Sequence, residues 1–379
     1  MSTRPGIHRR TLYGVTLLLI LGTLPLLVPI RTTRAQQGAS PAKFRLAIVG
    51  VIHSHAWGHL RNIAKMEGIE LVGISDQVAA LREEAGKAAP GIPIYDDYRK
   101  LLDEKKPEAV WAFVENDRHL EITKACATRG IHLMFEKPMA ATYDQAKEML
   151  ALARKHDIKL MINYQMAWWP ENYSGYDVAQ SGKLGKVWRV RTIIGHGGPA
   201  PRNASDVRGQ NFWTWLNDES RGGGALMDFT CYGGVWWRWY LGLPKTVFAV
   251  TTHTRPDVYK TNTSATVLGT FADNGVGIIE GSWDLPRSFQ DVEVFGDKGS
   301  VSVSRNRVEI FIGNQREETK LGALAEDRRE PVSYFVGRIR TKQPIDGMVS
   351  PEFNVDVMQI VEAARRSVKS GRPVSLPLP

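Results

Sequence analysis

Glu136-Lys137-Pro138 stands where an apolar run, "HLMFEKP" over residues 132–138, leaves off, so a strand can deliver a lysine ammonium to the edge of a sheet. Further on, "GGGALMDFTCY" (222–232) sets Asp228 and Tyr232 four apart, hence on one face of a helix. A helical Asp/Tyr pair is also an ordinary surface hydrogen-bonding pair. Beside a lysine brought in by another domain, however, Tyr232 can exchange the proton of a substrate hydroxyl while Lys137 stabilises the alkoxide that develops.

A second cluster follows the first apolar run of the mature chain and reads "GVIHSHAWG" (50–58). A glycine-rich turn at such a place brings backbone N–H groups to a dinucleotide's pyrophosphate. Gly50 is present, but Ile52 and His55 hold the second and third glycine positions; His53, Ser54 and His55 are polar and can touch phosphates directly. A mere turn in a nucleotide-independent fold is the other reading. Asp76 ends the next apolar run, where a carboxylate can accept from both ribose hydroxyls of NAD and repel the 2′-phosphate of NADP. No arginine immediately follows it, so NAD is expected with NADP still possible, and the same Asp can cap the next helix.

Eight of the eleven tryptophans lie between Trp168 and Trp239, among them Trp213 and Trp215, with Gln165 and His196 close by in sequence. Some must be core. Rings with polar neighbours also suit a sugar or polyol, which presents C–H faces and hydroxyls, so Gln165, Trp168, His196, Trp213, Trp215 and Asp228 are candidate substrate contacts. The histidines show no metal-ligand spacing with the acids, and no metal is expected; GxSxG and Walker signatures are absent. Cys126 and Cys231 form no framework and suit small buried positions.

The elements that must position these residues change character along the chain. Apolar runs at 42–50, 69–76, 109–114, 132–138 and 159–165 alternate with helical patterns at 59–67, 77–89, 119–130 and 143–157 and a short helix within 93–106. That alternation implies βαβ crossovers and a parallel, doubly wound sheet. From about residue 182 longer alternating segments (186–195, 245–254, 265–272, 275–283, 290–299, 300–313) predict a largely antiparallel sheet, with "FADNG" and "FGDKG" as turns. A helix over 224–242 interrupts it, and an amphipathic helix over 352–371 can return to brace the first domain.

The chain's 379 residues carry 49 Lys and Arg against 40 Asp and Glu, but five arginines fall in the first 35 residues, which hold no acid. The remaining charges are mixed in sign, without the basic stripe of a nucleic-acid binder. Residues 1–35 follow the order of an export signal: basic "MSTRPGIHRR", an apolar stretch broken by Gly14, Gly22, Pro25 and Pro29, then small residues before Gln36. Arg9-Arg10 points to the twin-arginine route and a periplasmic destination without a stable membrane anchor.

Taken together, "IVG…H", Asp76, "ENDRH" (115–119), "FEKP" (135–138), "GKLG" (182–185) and "GGGALMDFTCYG" (222–233) resemble the Gfo/Idh/MocA family of glucose–fructose oxidoreductases and inositol dehydrogenases over residues 43–371. The resemblance implies an N-terminal Rossmann domain (36–165) holding NAD(P), and a C-terminal α/β domain (166–350) whose large, mostly antiparallel open sheet presents the substrate and makes homo-oligomer contacts. Residues 351–379 would return toward the Rossmann domain. It also implies cofactor contacts at Gly50, Ile52, His53, Ser54, His55, Asp76, Asn116, His119, Glu136 and Lys137, with Lys137 as the motif lysine and Asp228 as the helix aspartate. Tyr232 replaces the usual catalytic histidine, as in the branch containing glucose–fructose oxidoreductase and dihydrodiol dehydrogenase. The expected activity is an exported NAD(P)-dependent oxidoreductase acting on a secondary alcohol of a sugar, glycoside or polyol. An NAD-dependent, redox-assisted glycosidase and a sugar-binding protein without cofactor are the alternatives.

Overall fold

The computed structural model describes residues 42–199 and 206–379; the export signal expected over 1–35 lies outside them. The first half alternates β1 (Phe44–Val49), α1 (Ala56–Ile63), β2 (Ile69–Ser75), α2 (Ala79–Ala88), β3 (Ile94–Tyr95), α3 (Tyr98–Lys105), β4 (Ala109–Ala112), α4 (His119–Ala127), β5 (His132–Glu136), α5 (Tyr143–Lys155) and β6 (Leu160–Asn163). All strand pairings are parallel, in the order β3-β2-β1-β4-β5-β6. β4 and β6 are buried at every residue, as strands covered by helices on both faces must be. The order reverses between β1 and β4, which opens a crevice beyond the strands' carboxyl ends.

The second half contains α6 (Pro170–Gln180), β7 (Val187–Gly195), α7 (Val207–Leu216), α8 (Ala225–Tyr240), β8 (Thr246–Thr252), β9 (Ser264–Thr270), β10 (Val276–Ser282), β11 (Phe289–Gly296), β12 (Ser300–Ser304), β13 (Arg307–Ile312), β14 (Gln315–Glu318), α9 (Pro331–Arg340), α10 (Pro351–Ser370) and β15 (Val374–Ser375). Its sheet runs β14-β13-β12-β11-β7-β10-β9-β8-β15, antiparallel except for the β7–β10 pair. α8 lies on one face because β10 clears space for it: a methyl group on Gly277 would stand 2.3 Å from the Trp237 ring. α10 starts on a Ser350 cap, ends at Gly371 (φ 65°) and packs on α5, α8 and β8, so it ties both sheets together.

The stretch expected as one strand over 300–313 divides into β12 and β13 because Asn306 takes a left-handed conformation (φ 60°) that breaks the extended run. The helix expected over 59–67 begins earlier, at Ala56. Both cysteines are free and buried.

Candidate active site

Lys137 emerges just past the end of β5 and Asp228 sits in the first turn of α8. The Lys137 ammonium donates to Asp228 Oδ1 at close range and to the Asp228 carbonyl at 3.3 Å, while the Trp283 indole N–H donates to Oδ2 at 2.9 Å. Burial works against both charges, yet each holds the other: the lysine lies above its ordinary range and the carboxyl below its own. Tyr232, one turn on, lies with its ring 5.0 Å from the ammonium, and burial pushes its hydroxyl above the usual phenol range against the opposing pull of Lys137.

The three glycines before α8 make this meeting possible. Gly222 (φ 80°) passes so close to Asn116 that a methyl group there would stand 2.8 Å from its Cβ, and one on Gly223 would stand 2.2 Å from the Leu216 carbonyl oxygen. Asn116 Nδ2 donates to the Gly222 carbonyl at 2.8 Å, and Arg221 pairs closely with Glu115. These contacts hold the start of α8 against the exit of β4.

Lys137, Asp228, Tyr232 and His196 line one cavity of about 400 Å³, with His53, Ser54, His55, Asn116, Gln165 and Trp215. His196 Nδ1 accepts the Gly198 N–H at 2.9 Å, which leaves the ring proton on Nε2, and burial lowers its basicity against the pull of Asp228. At neutral pH this part of the cavity presents an ammonium, a phenol O–H and an imidazole N–H, all proton donors.

A second, smaller cleft lies at the other end of the crevice, lined by Gly50, Asp76, Asp96, Val114 and Arg118. Asp76 accepts the Val51 and Val78 N–H groups, each at 2.8 Å, and has no ion-pair partner among the described residues; burial raises its carboxyl against those two bonds. Gly50 (φ 74°) is required, since a methyl group there would reach 2.4 Å from Val114. This donor set fits a dinucleotide at both ends: a carboxylate with spare lone pairs for ribose hydroxyls, and Lys137 with open space at the reacting end. Between them the turn is unusual. Ile52 is buried in the core, so Ser54, the two histidines and Trp57 of α1 face the cavity.

Other expected residues fall elsewhere. His119 is fully buried, bonded through Nδ1 to the Met139 carbonyl at 3.0 Å and stacked on Phe135, so it supports the crevice from below and lines neither cavity. Trp168 and Trp213 do not line the cavity; Trp168 donates to Asn163 at 2.8 Å and packs on Tyr334. Glu136 is buried beneath the turn, where Oε2 meets His55 Nδ1 at 2.9 Å. The histidines and acids that show no metal spacing in sequence therefore do converge: His53, His55 and Glu136 place one ligand atom each within 4.8 Å of one another.

Residues not anticipated include Arg208 and Phe212 on α7. Arg208 bonds Glu84 of α2 at 2.9 Å and lies over the Trp57 ring, while Phe212 and Trp215 pack 5.5 and 5.6 Å from His53. Asp206, which caps α7 by accepting the Gly209 N–H at 2.9 Å, was the available sequence signal for this helix. Trp283, the second partner of Asp228, comes from beyond β10 and carries no local signal.

Comparison with known proteins matches residues 44–164 to the profile "Oxidoreductase family, NAD-binding Rossmann fold" and residues 176–302 to the "GFO/IDH/MocA C-terminal domain". Similar relatives include D-xylose 1-dehydrogenase (NADP(+)) 2 of Haloferax volcanii, 26% identical over 78% of this chain and 90% of that one. D-glucoside 3-dehydrogenase of Escherichia coli is 25% identical over 88% of this chain and 97% of that one. Among solved structures, aldose-aldose oxidoreductase from Caulobacter crescentus complexed with glycerol superposes with a TM-score of 0.73 at 21% identity, covering 88% of this chain and all of that one (100%). These matches remove the basis for reading the chain as a cofactor-free binding protein.

Proposed function

The chain belongs to the Gfo/Idh/MocA family of oxidoreductases and binds NAD(P), and from that premise we propose that it oxidises or reduces a secondary alcohol of a sugar, glycoside or polyol. The observation that carries this reading is the convergence of Lys137, Asp228, Tyr232 and His196 on one cavity. The similar sugar dehydrogenases support the substrate class.

Asp76 would hold the adenosine ribose, favouring NAD over NADP; Ser54 and the turn's backbone would meet the phosphates, and Lys137 the reacting end. Bound there, the nicotinamide supplies a hydride acceptor or donor. Lys137, kept charged by Asp228, neutralises the substrate oxygen as it gains negative charge. Tyr232 moves that oxygen's proton, and its raised basicity keeps the phenol protonated at neutral pH, so the groups stand ready for carbonyl reduction. Oxidation of the alcohol needs the reverse transfer and gains as pH rises.

We also infer a division into a cofactor domain (36–165), a substrate domain (166–350) and a returning segment (351–379), export by the twin-arginine route, and self-association. Among the described residues no helix is long and apolar enough to cross a membrane. The sheet face opposite α8 exposes Val250 and Leu268, which supports burial against a second copy.

Mass spectrometry of the denatured protein, followed by a panel of sugars, polyols and glycosides, tests the proposal. A released or readily bound dinucleotide, with absorbance change of the reduced nicotinamide on sugar addition, is the expected result. Absence of dinucleotide binding at millimolar NAD and NADP would overturn it, and glycoside cleavage without net redox change would reassign the outcome to redox-assisted hydrolysis.

A further inference from the structure

The turn after β1 carries imidazoles where backbone alone would be expected, and both face a buried carboxylate. Glu136 is 1% exposed, its Oε1 accepts Asn163 Nδ2 at 2.7 Å, and its Oε2 lies 2.9 Å from His55 Nδ1. A ring nitrogen and a carboxylate oxygen at that separation share either the proton of an ordinary N–H···O hydrogen bond or a metal ion. The His53 ring lies 4.3 Å from the His55 ring, centroid to centroid, and its Nδ1 accepts the His55 N–H at 3.1 Å, a bond that a metal ion on that nitrogen would replace.

We propose that His53, His55 and Glu136 form a binding site for a divalent transition-metal ion of the zinc type, with its remaining coordination position open to the cavity that Lys137 and Tyr232 line. The one ligand atom from each residue falls within 4.8 Å of the others, a spread that small side-chain rotations close to a tetrahedral set. Two imidazoles and one carboxylate with a free position are the ligand set of a zinc ion that polarises a substrate oxygen.

Supporting contacts surround the three ligands. Gln165 Nε2 lies 3.2 Å from His55 Nε2 and donates to it; metal on Nδ1 would require the amide to turn so that its oxygen accepts a proton held on Nε2. Asn163, itself bonded by Trp168, fixes the Glu136 carboxylate through the oxygen that faces away from His55. The nearest competing cation, Lys137, is neutralised by Asp228. The open position faces the same cavity, so this inference rests on the oxidoreductase reading for its purpose but not for its test.

The test is metal stoichiometry of the purified, untagged full chain, stripped with chelator, equilibrated with micromolar zinc or cobalt and freed of excess by gel filtration. The expected result is near-equimolar zinc, and a visible cobalt spectrum of low coordination number. His55→Ala with Glu136→Gln should abolish both, and Gln165→Leu should weaken affinity by about 10- to 100-fold while leaving the ligands in place. Circular dichroism checks that each variant is folded, and His53→Gln stands in should the double variant unfold. Zinc absent from the wild-type chain, or retained equally by the folded variants, would overturn the proposal. NAD titration of the stripped protein separates the two claims: dinucleotide binding without zinc binding sinks the metal site and leaves the oxidoreductase reading standing.

Discussion

The exits of β5 and β1, on either side of β4, open into one crevice but are built differently. At the β5 exit, Lys137 is held by a carboxylate from α8 and, through it, by the Trp283 indole, so its position depends on contacts between distant parts of the chain. At the β1 exit, Gly50, His53 and His55 are placed by a local turn, closed by Asp76 on one side and Glu136 on the other. The first arrangement fixes a charge where a reaction can use it. At the second, Asp76 shapes what is bound, so its loss should appear in affinity before turnover.

Lys137→Ala is the strongest way to break that contrast. It removes the charge at the reacting oxygen and leaves Asp228 buried beside Trp283 alone, so kcat should fall by about 100- to 1000-fold and unfolding free energy by about 3 kcal/mol. Steady-state kinetics and urea unfolding read the two effects. Lys137→Ala with wild-type turnover would show that the pairing is structural only.

A pH series tests the support beneath the crevice. Burial lowers His119 from 6.5 to about 4, so the folded chain keeps it neutral while the unfolded chain takes a proton. The stability present above pH 6.5 is therefore lost as pH falls toward about 4, by about 2 kcal/mol between pH 7 and pH 5 from this residue. His53, lowered in the same sense, adds to the slope. His119→Gln should flatten the urea-derived stability profile over this interval; an unchanged slope would remove His119 as its cause.

The smallest effect is expected at the local end. Asp76→Ala removes the ribose acceptor together with the partner of the Val51 and Val78 N–H groups. Calorimetry should give about tenfold weaker NAD binding, about 1.4 kcal/mol, with NADP affected less and turnover at saturating cofactor nearly retained. A fall in kcat with unchanged NAD affinity would reverse the roles of the two exits.

The two exits also differ in how far they could be read from sequence. Apolar runs and helical spacing located every strand of the parallel sheet except the two-residue β3, because strands buried on both faces leave continuous apolar signatures. The strand end at Lys137 and the one-turn spacing of Asp228 and Tyr232 are local patterns legible in the sequence, while the meeting of the two, 91 residues apart, is supplied by the fold. β15, only two residues long, and β14, exposed at every residue, carry no such pattern. The meeting of His55 with Glu136 joins residues 81 apart in the chain, and no spacing rule reaches that far. The expectation that Trp168 faces substrate failed for a related reason: its N–H found a partner in Asn163, which only the folded arrangement supplies.

Tyr232→Phe in a single-turnover experiment tests the central claim most directly. The variant keeps the ring that packs edge-on against Tyr164 at 5.3 Å and removes only the hydroxyl. With cofactor bound and a reactive sugar or its carbonyl counterpart added, absorbance of the reduced nicotinamide should change at least about 100-fold more slowly than in the wild type, while NAD affinity stays the same. An unaltered rate across pH would contradict proton transfer by Tyr232 and move that role to the imidazole of His196 in the same cavity.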